Sequence, residues 1–334
     1  RGILLKNIKM KKVLVLGSNS FTGSHIINYI LENTNANVIG VSRSKEYDHI
    51  FLPYLYKKPI PKNFRFYQLD LNKGFKRLIE LLNKEKPDVV INYAAKGEVR
   101  NSWNWPEQWF QTNCMFVVKL ANYLKDKKYL KKYVSISTPE VYGSTEKNIK
   151  ENFNFKPSTP YAASKLAGDL FLLALFKRYG FPVIMTRSAN VYGIHQQLYR
   201  IIPRTIIYLK LGKKIELHAG GNAVRSFIHA RDVANATLKA IENDNIGEVY
   251  HLAEEEKEIS INFLVKKICN KMNYNFDENI SLTEENFGQD AIYSLNSSNA
   301  RTKLGWKPKT DFEDGINEVI SWINENWEQI KGFP

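Results

Sequence analysis

The sequence predicts an α/β fold in which a doubly wound parallel sheet carries a smaller C-terminal region. Three observations lead there. Short apolar runs alternate with longer helical patterns through the first half, a glycine-bearing turn directly follows the first run, and the rhythm changes near Tyr192. With 334 residues, 43% of them hydrophobic, the chain is long enough to bury one large core or two that share an interface.

Taken in order, the strand candidates are residues 13–16, 38–41, 64–69, 89–93, 133–137 and 183–186. Between them, residues 21–31, 75–83, 109–124 and 161–178 have the length and apolar spacing of crossover helices, which makes the series one of βαβ units. Past Tyr192 come a helix over 201–211, short strands and a final amphipathic helix over 312–327. Residues 230–242 and 249–253 read as one more helix and strand able to rejoin the first sheet. The expected division is therefore residues 10–190 plus 230–253 for the sheet domain and 191–229 plus 254–330 for the smaller region. Residues 1–9 are basic and precede Met10; lacking an apolar stretch and a small-residue cleavage site, they read as an upstream extension rather than a signal peptide.

Cys114 and Cys269 lack metal-ligand spacing, so neither a disulfide framework nor a metal site is expected, and a reducing cytoplasm fits. The longest apolar run, residues 170–176, falls far short of the roughly twenty residues of a membrane helix. The net charge of +14 is spread along the chain rather than gathered into a tract. It reads as a solvated basic surface that attracts a small anionic substrate, not as a nucleic-acid or membrane binder.

The turn Gly17-Ser-Asn-Ser-Phe-Thr-Gly23 opens the first helix, where backbone amides and the helix N-terminus can bind a pyrophosphate. Gly17 suits the tight turn and Gly23 the close packing of helix on sheet, while Ser20 stands where a middle glycine is usual. After the second strand, Val41-Ser-Arg-Ser44 offers no acidic residue for the adenine ribose of NAD. Arg43 suits a 2′-phosphate instead, which favours NADP over NAD; a surface arginine without a ligand is the plainer alternative. Asp70 is placed to meet the adenine edge or to cap a helix. Tyr161-Ala-Ala-Ser-Lys165 sets a phenol and an ammonium on one helix face, where the cation favours the phenolate and makes Tyr161 a usable base.

Further segments occur in order with these: Asn92-Tyr-Ala-Ala95, Thr112-Asn113, Ser137-Thr-Pro-Glu-Val-Tyr-Gly143, Arg187-Ser-Ala-Asn-Val-Tyr-Gly193, Arg225-Ser-Phe-Ile-His229 with Asp232, and Leu304-Gly-Trp-Lys-Pro308. Over residues 11–312 the chain resembles the extended short-chain dehydrogenase/reductase family, and within it the nucleotide-sugar epimerases and dehydratases. The resemblance implies a Rossmann-type domain binding NAD(P)+ through Gly17, Ser20, Phe21, Gly23, Arg43, Asp70, Leu71, Ala94, Tyr161 and Lys165. It implies a nucleotide-diphosphate sugar held by Ser102, Thr138, Asn190 and Arg225. It also implies a homodimer built from the helices over 109–124 and 161–178.

The family chemistry begins when Tyr161, supported by Thr138 and Lys165, takes the proton of the sugar C4 hydroxyl as the cofactor accepts the C4 hydride. In a 4,6-dehydratase a carboxylate then removes the C5 proton, water leaves from C6 and the hydride returns there. Glu140 stands at the position of that carboxylate, whereas 4-epimerases commonly have serine or another small residue. UDP-glucuronate decarboxylases share the Thr-x-Glu pattern and are the runner-up; Arg100 or Arg200 would supply the cation they need near the C5 carboxylate. A non-catalytic NAD(P)-binding regulator is the non-enzyme alternative, opposed by the intact Thr138, Glu140, Tyr161 and Lys165.

Two departures stand out. Pro139 occupies a position where many dehydratases have aspartate, and Asn286-Phe-Gly-Gln-Asp290 with Ala291 replaces an Arg-Pro-Gly-Asp-x-Arg nucleotide grip. The second makes dimeric, thymidine-specific enzymes less secure templates. Val41-Ser-Arg-Ser44 and the Thr-x-Glu pattern look more like GDP-mannose 4,6-dehydratase, and the overall pattern also resembles the GDP-N-acetylglucosamine 4,6-dehydratases of bacterial legionaminic acid synthesis.

Overall fold

The first strand, β1 (Lys12–Leu16), reads Lys-Val-Leu-Val-Leu, and its last four residues are buried because helices cover both faces of the sheet. The computed structural model describes residues 10–144, 148–254, 258–283 and 294–333, so the 1–9 extension and the 286–291 departure lie outside the described residues. The first half runs α1 (Phe21–Asn33), β2 (Asn37–Ser42), β3 (Phe64–Gln68), α2 (Phe75–Glu85), β4 (Val89–Asn92), α3 (Val99–Asn104), α4 (Pro106–Phe110), α5 (Phe116–Leu124), β5 (Lys132–Ile136), α6 (Pro160–Tyr179) and β6 (Val183–Ser188). Then come β7 (Asn190–Tyr192), α7 (Ile201–Lys210), β8 (Ile215–His218), β9 (Val224–His229), α8 (Ala230–Glu242) and β10 (Glu248–Leu252). The last part holds β11 (Glu258–Ser260), α9 (Ile261–Lys271), α10 (Phe276–Asn279), β12 (Ile280–Thr283), α11 (Ser298–Leu304), α12 (Phe312–Glu325) and α13 (Trp327–Ile330).

The expected α/β fold is the one observed. Seven parallel strands lie in the order β10-β6-β5-β4-β1-β2-β3, and β10 joins the sheet beside β6, as the sequence suggested for residues 249–253. Alternate side chains point to opposite faces. Leu14 and Leu16 pack with Val90, Phe116, Leu120 and Leu172 on one side, while Val13 and Val15 pack with Ile26, Ile30, Val89 and Leu238 on the other. A third core gathers Tyr192, Ile206, Leu217, Leu264, Ile316 and Trp322 around the C-terminal elements. Trp306, in the Leu304-Gly-Trp-Lys-Pro308 segment, is 1% exposed and donates its Nε1–H to the Asp232 carbonyl at 3.0 Å. The Asp232 carboxylate in turn accepts from the amides of Lys309 and Thr310 at 2.9 and 3.0 Å. That motif therefore staples the C-terminal part to the start of α8.

One expectation is corrected. Residues 109–124 are not one regular helix: α4 ends at Phe110, and a π-helical turn over Gln111–Met115 precedes α5. Such a widened turn places backbone and side chain where a regular helix would not. Asn113 there accepts from the Lys96 amide at 2.9 Å and donates to the Lys96 carbonyl and the Ser164 hydroxyl, each at 3.0 Å. Its own carbonyl lies so near α6 that a Cβ on Gly168 would come within 2.6 Å of it, so the helices can meet here only at glycine.

Candidate active site

The glycine turn is built by strand ends as well as by α1. Gly17 has φ +80°, and its amide donates to the Val41 carbonyl at 2.8 Å. A Cβ on Gly17 would stand 2.7 Å from the Ala94 nitrogen, and one on Gly23 2.4 Å from the Gly17 oxygen, so both positions require the bare backbone. Ser20, in place of a middle glycine, is the N-cap of α1 and accepts from the Gly23 amide at 3.1 Å. Asn19 donates to Ser44 Oγ at 3.0 Å and to the Lys45 carbonyl at 2.7 Å, tying the turn to the segment after β2. Its buried Oδ1 has no partner.

Arg43, Asp70 and Ala94 follow the ends of β2, β3 and β4, so they share the carboxyl edge of the sheet with the turn, where ligands of such sheets bind. Arg43 is exposed, and Leu71 is half-buried. Asp70 Oδ1 accepts from the amides of Asn72 and Lys73 at 2.9 and 3.1 Å, which gives this carboxylate a turn-forming duty of its own.

Along the same edge opens a cleft of about 1000 Å³, lined by Ser20, Phe21, Thr138, Glu140, Tyr161 and Lys165 among others, and by Asn190 and Arg225. Thr138 caps the short 3₁₀ turn Pro139–Tyr142 and accepts from the Glu140 amide at 3.3 Å, which holds the half-buried Glu140 at the cleft wall. Tyr161 lies in the first turn of α6, which is capped by Thr159 and started by Pro160; Lys165 follows one turn later. Lys165 donates to the Ile136 carbonyl, and burial pushes its ammonium below the ordinary lysine range against the opposing pull of Asp169. Ser102 behaves differently. It is fully buried, donates to the Val99 carbonyl at 2.6 Å and does not line the cleft. A smaller cavity of about 550 Å³, lined by Glu151, Phe153 and Arg187 among others, gathers none of the sequence-predicted site residues.

Beneath the cleft lies a polar network that sequence reasoning missed. Arg187 of β6 is 1% exposed, and its Nη2 pairs with Asp169 of α6 at 3.0 Å. Its Nε donates to the Ser137 hydroxyl at 3.3 Å and its Nη1 to the Tyr142 hydroxyl at 2.5 Å. Ser137 itself donates to Asp169. Tyr142 meets His251 Nε2 at 2.9 Å, and burial beside Arg187 pushes the His251 imidazole down to about 3, so it is neutral near pH 7. A signal was present: Asp169 falls four residues after Lys165, on the same helix face, and Arg187 and Tyr142 lie inside quoted motifs. Tyr93, Tyr192, Gln196 and Arg204 also line the cleft and were not singled out from the sequence, whereas Arg100 and Arg200, named as possible cations, do line it.

A family model for GDP-mannose 4,6-dehydratase matches residues 14–319. The chain belongs to that family. The resemblance to nucleotide-sugar 4,6-dehydratases drawn from the motifs is thus borne out. Relatives of this family member include the dTDP-D-glucose 4,6-dehydratase of Mus musculus, 31% identical over 328 residues that cover 96% of this chain and 91% of the relative. The dTDP-glucose 4,6-dehydratase of Haemophilus influenzae is 28% identical, with 94% and 98% covered. The chain spans about half the length (49%) of trifunctional UDP-glucose 4,6-dehydratase/UDP-4-keto-6-deoxy-D-glucose 3,5-epimerase/UDP-4-keto-L-rhamnose-reductase proteins of Arabidopsis thaliana, which are 28% and 29% identical. Among solved structures, dTDP-glucose 4,6-dehydratase of Streptomyces venezuelae with NAD bound matches with TM-score 0.86 at 25% identity, covering 95% of this chain and 98% of that one. The Bacillus anthracis enzyme in complex with NAD gives 0.83 at 27% identity, with the same coverage.

Replacing Arg187 by Met should strand the buried Asp169 charge and cost about 3–5 kcal/mol, measured by chemical denaturation. Adding Asp169→Leu should recover a large part of that loss. If Arg187→Met unfolds at the wild-type denaturant midpoint, the pair does not hold the site together.

Proposed function

We propose that this chain is a hydro-lyase that turns a nucleotide-diphosphate sugar into its 4-keto-6-deoxy form. The observation that carries the reading is the shared lining of one cleft by Thr138, Glu140, Tyr161 and Lys165, with Asn190 and Arg225. The side-chain-free approach at Gly17 and Gly23 and the unmet Oδ1 of Asn19 fit a dinucleotide held by Gly17, Ser20, Phe21, Gly23, Leu71 and Ala94. When bound, NAD(P)+ supplies a reversible hydride acceptor for the sugar.

The chain's own residues manage protons and orientation. Tyr161 takes the C4 hydroxyl proton, with the Lys165 cation one turn away favouring the phenolate. Thr138 and Tyr161 then polarise the C4 oxygen, which makes the C5 proton acidic. Glu140 removes it. Pro139 has no ionisable group, so the newly protonated Glu140 also delivers a proton to the departing C6 hydroxyl: the C5–H and C6–O bonds break, the C5–C6 double bond forms and water leaves. Because Arg100 and Arg200 line the cleft, nucleotide-sugar decarboxylation is the second reading, and product analysis separates the two.

The same proposal divides the chain into residues 10–190 plus 230–253 and 191–229 plus 254–330, a division that the pairing of β10 with β6 supports. It includes a cytoplasmic setting, in keeping with the free thiols Cys114 and Cys269. Among the described residues no helix is long and apolar enough to cross a membrane. A homodimer through α4, the π-helical turn, α5 and α6 draws support from the exposed Phe110, Met115 and Leu170.

Three outcomes follow from this reading. Glu140→Gln should abolish water loss and solvent deuterium incorporation at C5 while oxidation at C4 persists; 4-keto-6-deoxy product at near wild-type rate rules Glu140 out as the base. Nucleotide-stripped protein should bind NADP at least as well as NAD because of Arg43, and a clear NAD preference unchanged by Arg43→Ala overturns that assignment. Light scattering should report a dimer at micromolar concentration, and a monomer there counts against the helical interface.

A further inference from the structure

We infer that Arg204 is a further ligand of the substrate's diphosphate, donating its Nε–H to a phosphate oxygen. The inference rests on the reading of the cleft as a nucleotide-sugar site and adds to it a residue that none of the quoted motifs contains. Arg204 lies at the start of α7, four residues after the N-cap Arg200, and both residues line the cleft. Its backbone is already satisfied, the amide donating to the Arg200 carbonyl at 2.8 Å. Its side chain is not: Nε is buried and has no hydrogen-bond partner.

A buried donor left unmet is destabilising, and at the wall of a cleft a ligand that supplies the acceptor relieves that cost. The carboxylates lining this cleft are Glu98 and Glu140, and Glu98 accepts from Asn101 at 2.5 Å. Against these two stand five cations, Arg100, Arg200, Arg204, Arg225 and Lys165, so the side chains lining the cleft carry an excess of positive charge. Arg225, 6% exposed, is fixed by donating Nη1 to the Val224 carbonyl at 2.8 Å. Two features favour a phosphate oxygen over a nucleobase carbonyl. Arg204 is grouped with Arg200 at the start of α7, the positive pole of that helix, and no side chain caps this end. The planar guanidinium fork also matches phosphate geometry.

The test is calorimetric titration of GDP, UDP and dTDP into the intact protein and its Arg204→Met and Arg204→Lys variants, with unfolding midpoints measured alongside. Arg204→Met should weaken every diphosphate that binds wild type by a similar factor, about tenfold to a hundredfold. Arg204→Lys keeps the charge but loses the Nε–H at that point on the stem, so it should recover only part. A loss confined to one base assigns Arg204 to the nucleobase and overturns the inference. Unchanged affinity, with or without a lowered unfolding midpoint, makes the residue structural and overturns it as well. If wild type binds none of the three, the nucleotide-sugar reading fails and takes the inference with it; if wild type binds and Arg204→Met binds equally, only the inference fails.

Discussion

The geometry of the cleft depends on one buried ion pair, Arg187 with Asp169. The two charges come from β6 and α6, and the remaining guanidinium donors reach Ser137 and Tyr142 on either side of the Thr138–Glu140 turn. In a medium that solvates charge poorly, each donor must keep its acceptor, so none of the three elements can slide without exposing an unpaired group. Asp169 follows Lys165 by one helical turn and Tyr161 by two, so fixing Asp169 also fixes the rotation of α6 about its axis. The hydroxyl, carboxylate, phenol and ammonium of the proposed chemistry are thereby set against each other by a buried network of which only Ser137 lines the cleft.

Close approach supplies the second constraint. At Gly168 the backbone of the π-helical turn meets α6, and Asn113 uses both ends of its amide to join Lys96 to Ser164. The loop after β4, which runs into the cleft lining at Ala95 and Gly97, is thus tied to the helix that carries Tyr161. At Gly17 and Gly23 the same principle keeps the turn free of side chains.

The sheet was legible in the sequence because buried parallel strands read as continuous apolar runs, and β10 could be foreseen for the same reason. Thr138, Glu140, Tyr161, Lys165, Asn190 and Arg225 were legible through ordered motifs, and they share one cleft. Ser102 was named with them, yet its hydroxyl turns back to the helix that carries it. The π-helical turn at residues 111–115 left no trace in apolar spacing, which does not distinguish one widened turn from a regular helix. Asp169, one turn past Lys165, and Arg187, at the head of a motif, were visible singly, but their pairing with each other and with Ser137, Tyr142 and His251 was not, because polar partners in distant segments carry no periodic signature. Their meaning exists only once the strands are aligned.

The placement of β10 has a consequence for how the chain is made. Strand β6 pairs with β5 on one side and waits on the other for a strand that arrives only after β7, α7, β8, β9 and α8 have been synthesised. Until then the nascent sheet presents an open edge, and Arg187 on that strand still lacks the wall formed by Tyr250 and His251. Non-local closure of this kind is slow, and unpaired edges invite association between chains. Between the synthesis of β6 and the docking of β10, this part of the sheet therefore presents an unpaired edge of the kind that favours association between chains.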